Sequence, residues 1–300
     1  MVAAGLVVGL LALLFGLDIL AIKPRAGSTR TSAIDGMAQV LIPEGQFQMG
    51  SASEGALPDV KPQHAVFLDA YWMDRTEVTN QQFMTFVEAT DYRTTAEENG
   101  QSWVFELGGW REAEGVNWRH PRGQNTDLEG QGDHPVVHIS WQDARAYCEW
   151  AGRRLPTEAE WEKAAGGTEL IRYPWGDESA DGERANFADR ALAAKWSNMD
   201  IDDGYARSAP AASFQAGASP YGVLDMAGNV YEWVGDWYQW DYYARSPYRN
   251  PTGPDSGKHR SVRGASWVSK ASNYAVYSRV SLPPQYTIQD TGFRCAQPAQ

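Results

Sequence analysis

SWQDARAYCEWAGRRLPTEAEWEKAAGG, Ser140–Gly167, reads as two short helices with a sharp turn between them. Ser140 is placed to cap the first, whose Ala144, Tyr147, Cys148 and Ala151 fall on one face and which Gly152 stops. Thr157 and Glu160 have the spacing of a capping box for the second, and Glu158 with Glu160 complements the positive end of its dipole. Trp161, Ala164 and Ala165 make its apolar stripe, and Gly166-Gly167 ends it. Local chemistry says that two well-capped helices pack here and no more.

Working outward, 300 residues with 43% hydrophobic content suffice for one large core or two smaller ones. Thirteen Trp, fourteen Tyr and twenty-nine Gly point to a loop-rich fold held by aromatic clusters rather than long helices. A formal charge of -12 argues against a nucleic-acid surface, which needs a basic footprint. The two cysteines, Cys148 and Cys295, are uninformative alone; in an exported protein they are compatible with one disulfide. His134 and His138 would share a face of a strand, but no carboxylate or third histidine stands at a metal-site spacing, so a structural role is expected. No HExxH, GxSxG or phosphate loop occurs, which removes the ordinary metalloprotease, serine-hydrolase and nucleotide readings.

Val2–Ile22 is apolar apart from Asp18 and long enough to span a bilayer; with no small-residue cleavage site near its end it reads as an uncleaved membrane anchor (1–22). Lys23–Gly36, rich in Ser, Thr, Gly and charge, reads as a linker (23–36) ahead of a folded domain over 37–300. Lys23, Arg25 and Arg30 follow the span, which by the positive-inside rule would keep the domain cytoplasmic; a disulfide argues for the extracytoplasmic side, which is the expectation adopted.

AQVLIPEGQFQMGS alternates around Pro43-Glu44-Gly45 as a hairpin would. HAVFLDAYWMDRTEVTNQQFMTFVEAT then passes from strand into a helix capped by Thr79, with Gln82 placed for the box and Phe83, Phe86 and Val87 inward. From Ser102 to Asp133 the chain is polar and Gly-rich, a long surface excursion.

RLPTEAEWEKAA within the opening stretch resembles the central motif of the formylglycine-generating enzyme (sulfatase-modifying factor) family. So, in order, do the Pro-x-Gly-x-Phe-x-Met-Gly phrase, Glu-Val-Thr-Asn before a helix, TAEENG, YPWGDE, ANF, DDGYARSAP, SPYGVLDMAGNVYEWVGDWY, NPTGPDSGKHRSVRGASW and TGFRCA, covering about Met37 to Ala296. The resemblance implies a compact, irregular α+β fold related to C-type-lectin-like folds, with little regular secondary structure, and a disulfide between Cys148 and Cys295. It implies two structural calcium sites. One would use Asn186 and Asp203 side chains with the Phe187 and Tyr205 carbonyls; the other, Asp225 and Glu232 with the Gly228 and Val230 carbonyls. Such oxygen donors on bent backbone suit a hard cation.

At the active site the chain departs from the family. Its oxidases bind Cu(I) through two cysteine thiolates that follow a Gly-Ser-Trp phrase, and use oxygen to convert a substrate cysteine to formylglycine. Here the phrase is Ala265-Ser266-Trp267, and the corresponding positions are Ser269 and Tyr274. Serine is hard and stays protonated, and tyrosine ionises only near about 10, so no copper is expected. Ser266 and Arg279 remain as parts of a vestigial pocket.

The reading that follows is a membrane-anchored, extracytoplasmic, non-catalytic family member, an accessory subunit held to integral membrane proteins. The runner-up is an enzyme of different chemistry on the same fold, maturing or oxidising a periplasmic substrate; formylglycine generation by an unusual route ranks last. The aromatic run Tyr231, Trp233, Trp237, Tyr238, Trp240, Tyr242 and Tyr243 is mostly core by this reading, with a partner surface as the alternative.

Overall fold

A computed structural model describes residues 26–106, 108–273 and 275–299. The apolar segment Val2–Ile22 and Tyr274 lie outside them. Among the described residues no helix is long and apolar enough to cross a membrane.

In chain order the strands are β1 (Thr29–Thr31), β2 (Ala38–Ile42), β3 (Gly45–Met49), β4 (His64–Leu68), β5 (Tyr71–Asp74), β6 (Gln101–Glu106) and β7 (Gly109–Glu114). After the helices come β8 (Tyr231–Trp237), β9 (Arg260–Arg263), β10 (Val280–Leu282), β11 (Thr291–Phe293) and β12 (Ala296–Pro298). The helices are α1 (Asn80–Thr90), α2 (Thr95–Asn99), α3 (Trp141–Trp150) and α4 (Glu158–Gly166). One sheet runs β1-β2-β5-β12 and another β10-β9-β8-β11, with β8 and β11 parallel; β3–β4 and β6–β7 are separate ribbons. The α+β class with short elements stands as expected.

All four α-helices among the described residues begin on a capping box, and the reason is in the sequence. Thr79, Thr94, Ser140 and Thr157 each accept from the third helical amide, while Gln82, Glu97, Asp143 and Glu160 reach back to the cap amide. Phe83, Phe86 and Val87 of α1 and Ala144, Tyr147 and Cys148 of α3 turn inward, packing with Trp118 and Phe293 into one core. Trp161, Ala164 and Ala165 of α4 enter a second core with Ile42, Val66, Tyr71 and Val234. Cys148 on α3 is bonded to Cys295 next to β12, both fully buried, so the disulfide clips the first core to the C-terminal strand.

Several expectations change. β2 and β3 do not pair with each other: β2 lies between β1 and β5, and β3 pairs with β4. The corner at Pro43–Gly45 is held from outside the strands, by Lys163 Nζ of α4 donating to the Pro43 and Gly45 carbonyls at 2.7 and 3.0 Å. Part of the segment read as linker belongs to the fold. β1 pairs with β2, and the Asp35 carboxylate accepts from Tyr147 Oη at 2.7 Å and pairs with Arg153. The surface excursion contains the β6–β7 hairpin and the fully buried Trp118. His134 and His138 share no strand, because His138 takes a left-handed φ of 61°. His138 is buried, bonded to Ser102 Oγ at 2.8 Å and the Pro121 carbonyl at 3.0 Å, and burial lowers its pKa to about 4; it is a neutral structural side chain.

Candidate active site

Beyond β9 the chain turns sharply at Gly264 and Ala265, both left-handed with φ of 91° and 63°. At Gly264 a Cβ would stand 3.2 Å from the Trp161 ring, so position and conformation both call for glycine. The turn delivers Ser266 and Ser269 into a buried hydroxyl network. Ser266 Oγ donates to Asp290 Oδ2 at 2.8 Å; the Ser266 amide donates to Ser269 Oγ at 3.1 Å; Ser269 Oγ in turn donates to Tyr231 Oη at 3.3 Å. Thr291 Oγ1 donates to the other Asp290 oxygen at 3.2 Å. Burial pushes the Asp290 carboxyl up to about 6 and raises the Tyr231 hydroxyl above its ordinary value. Among the described residues, no imidazole or ammonium joins the bonds of Ser269 to strengthen it as a nucleophile.

Arg279 lines a neighbouring cavity of ≈ 340 Å³ together with Tyr231, Ala265, Leu57 and Tyr277. Its charge is committed inward. Nε and Nη2 donate to the two oxygens of Glu158 at 2.8 and 2.7 Å, and the guanidinium lies 4.6 Å from the centres of the Tyr238 and Tyr243 rings. Arg263 shares Glu158 at 3.0 Å and takes Glu162 at 2.6 Å. Two arginines thus balance two α4 carboxylates out of water. Asp236 beside them is pushed up to about 8 by burial and by Glu158, which leaves it protonated at neutral pH.

The carboxylates expected to hold calcium divide into two outcomes. Asn186, Phe187, Asp203 and Tyr205 come together: Asp203 accepts from the Phe187 amide at 3.0 Å and the Tyr205 amide at 2.8 Å. Burial, and then Asp189 and Asp202 nearby, lifts Asp203 to about 7, while Arg190 pairs with Asp202 at 3.4 Å. In the other set Glu232 is taken, bound by Arg294 through both oxygens at 2.6 and 2.7 Å and by Trp161 Nε1 at 2.7 Å. Asp225, at the turn that leads to Gly228 and Val230, keeps one buried oxygen without a hydrogen bond. So does Glu77, whose carboxyl burial and then the Asp225 charge push well above its ordinary value; burial also raises Asp225, with Glu77 acting on it in the lowering direction. Among the described residues no group of three or more His, Cys, Asp or Glu has the geometry of a metal cage. The first set gathers the expected residues around Asp203, whereas in the second Glu232 is committed to Arg294.

The model of the "Sulfatase-modifying factor enzyme 1-like domain" family matches residues 25–299. The chain belongs to that family. It is 40% identical over 284 residues to the formylglycine-generating enzyme of Streptomyces coelicolor, covering 87% of this chain and 89% of that one. It is also 35% identical to the "inactive C-alpha-formylglycine-generating enzyme 2" of Bos taurus, covering 87% and 88%. Among solved structures, PvdO from Pseudomonas aeruginosa superposes with a TM-score of 0.72 at 25% identity, over 92% of this chain and all of that one.

For a member of this family the donor set is decisive. Both cysteines of the chain form the disulfide and no free thiol remains, so soft-sulfur coordination of Cu(I) has nothing to use. The residues do not fit copper. Asp290, which anchors Ser266, and Glu77, which faces Asp225, had no place among the site residues read from sequence. Glu77 lies in the Glu-Val-Thr-Asn phrase, where a family signal was present; nothing local marks Asp290.

Proposed function

We propose that this chain is a family member without formylglycine-generating chemistry, anchored by Val2–Ile22 with its domain on the extracytoplasmic side, and serving as an accessory subunit of a membrane complex. The observation that carries it is Ser269: at the position of a copper-binding cysteine stands a hydroxyl held by the Ser266 amide and Tyr231. Arg279, a cation in the wall of the neighbouring cavity, is neutralised by Glu158. A relative described as inactive supports loss of the reaction on this fold. Of the aromatic run, Trp233, Tyr242 and Tyr243 are buried and Tyr231, Trp237 and Tyr238 half-buried; Trp240, 63% exposed, is the member offered to a partner.

Two measurements test the reading. Incubation with copper, oxygen and a cysteine-containing sulfatase peptide is expected to leave the cysteine unchanged; formylglycine formation would overturn the non-catalytic part. Purification of the tagged full chain in mild detergent is expected to bring stoichiometric membrane subunits that Trp240→Ala loses and Ser269→Ala keeps. A second reading, a different chemistry in the same pocket, draws on the ≈ 340 Å³ cavity that persists beside Tyr231 and Arg279. A lone monodisperse protein whose cellular phenotype depends on Ser266 and Ser269 would favour it.

A further inference from the structure

A second cleft, of ≈ 230 Å³, lies between the 121–137 segment and the loop carrying Arg207. Its walls hold Arg122, Arg207, His134 and Ser208, and no Asp or Glu is among its lining residues. In a chain of formal charge -12 that composition stands against the overall field.

The arginines are poorly compensated. Among the described residues, Arg207 Nη2 reaches only the Phe105 carbonyl, at 3.4 Å, and its Nε, shielded from solvent, has no hydrogen-bond acceptor. Arg207 is half-buried, and Arg122 brings a second positive charge to the same cleft. Glu106, the carboxylate near Arg207, is already bonded to Arg111 at 3.0 Å. The Arg207 backbone is fixed, its carbonyl accepting from Asn186 Nδ2 at 2.8 Å, so the side chain is presented from a rigid base. Trp118, in the cleft wall, also keeps an indole N–H without an acceptor. Unmet donors and like charges both carry a free-energy cost that an acceptor with negative charge removes. Guanidinium groups suit anions that present two oxygens to a planar fork.

We propose that this cleft binds a small oxyanion, the carboxylate or phosphate group of a low-molecular-weight ligand, between Arg122 and Arg207. His134 and Ser208, bonded to each other at 3.3 Å, line the same cleft and supply neutral polar contacts. The cleft shares no side chain with the Ser266–Ser269 network, although Trp267 and Gln289 in its wall adjoin Ser266 and Asp290 in the chain, and it does not rest on the proposed accessory role.

Calorimetric titration of the full chain with inorganic phosphate and, separately, with succinate, in low-salt buffer free of other oxyanions, tests this. Saturable binding of at least one is expected, weakened tenfold or more in both Arg207→Gln and Arg122→Gln. Arg122 is exposed, so its variant keeps the fold and the test stays valid if Arg207→Gln fails to fold. Binding of phosphate alone assigns a phosphate-type ligand and binding of succinate alone a carboxylate. No saturable binding of either, or binding that Arg122→Gln leaves unchanged, overturns the proposal.

Discussion

Glu158, in the first turn of α4, holds Arg279 through both carboxylate oxygens at 2.8 and 2.7 Å, joining a helix start to the wall of the active-site cavity. Arg263 leans on the same carboxylate at 3.0 Å. Removing Glu158 therefore strands the buried Arg279 guanidinium and leaves Arg263 with Glu162 alone, whereas removing Arg279 leaves Glu158 with Arg263. Glu158→Ala is expected to cost about 3–5 kcal/mol and Arg279→Ala clearly less. Urea unfolding midpoints of the two variants check the order.

Asp203 is the residue through which pH and the proposed calcium would be coupled. Its folded pKa, about 7, lies above the ordinary carboxylate value. The folded chain therefore keeps a proton that the unfolded chain has released, and stability falls as pH rises from about 4 to about 7. Asp290 and Asp74, each raised to about 6, and Asp236, raised to about 8, act in the same sense. Metal-free protein should melt lower at pH about 8 than at about 5, and millimolar calcium should restore much of the difference at the higher pH. Asp203→Ala should abolish that response. A melting temperature indifferent to calcium and to chelators at pH about 8 would remove calcium from this site.

The disulfide closes a sequence separation of 147 residues, for which the chain-entropy model gives about 5 kcal/mol. Reduction should lower the denaturation midpoint strongly. Non-reduced peptide mapping should recover Cys148 joined to Cys295, and two free thiols in protein taken from its native membrane would contradict both the bond and the extracytoplasmic placement.

Ser269→Cys with Tyr274→Cys should restore Cu(I) binding, read by competition with a chromogenic Cu(I) chelator, while Ser269→Cys alone should not. Tyr274 is outside the described residues, and equal affinity in the single variant would show that the thiolate pair is not what the pocket lacks.

Legibility followed the range of the interactions. The capping boxes at Thr79 and Thr157 were readable because both partners lie within three residues, and their geometry is local. The inward faces of α1 and α3 were readable from periodicity. The Pro43–Gly45 corner was misread as a hairpin because its restraint, Lys163, lies about 120 residues away. The β6–β7 ribbon escaped notice because β7, GWREAE, is half polar and largely exposed, so alternation gave no contrast. The burial of Glu158 and Glu162 could not be seen without Arg263 and Arg279, which arrive a hundred residues later and cancel their charge. At the site, Ser266, Ser269 and Arg279 came from the motif, but Asp290 is connected to them only by the fold.

Arg30 has a mechanical consequence. From β1 its guanidinium bonds Gln39 of β2 at 2.8 Å, lies 4.3 Å from the centre of the Trp72 ring of β5, and donates to Gln297 of β12. One side chain thus straps four strands in a row at the point where the chain enters the domain. A pull on the residues ahead of Gly27 meets this strap before it meets the core. The load passes across the sheet to β12, and from there through the Cys148–Cys295 bond into α3. In the way a cable gland protects a soldered joint, the fold takes up tension at its entry point and spares the cavity behind it.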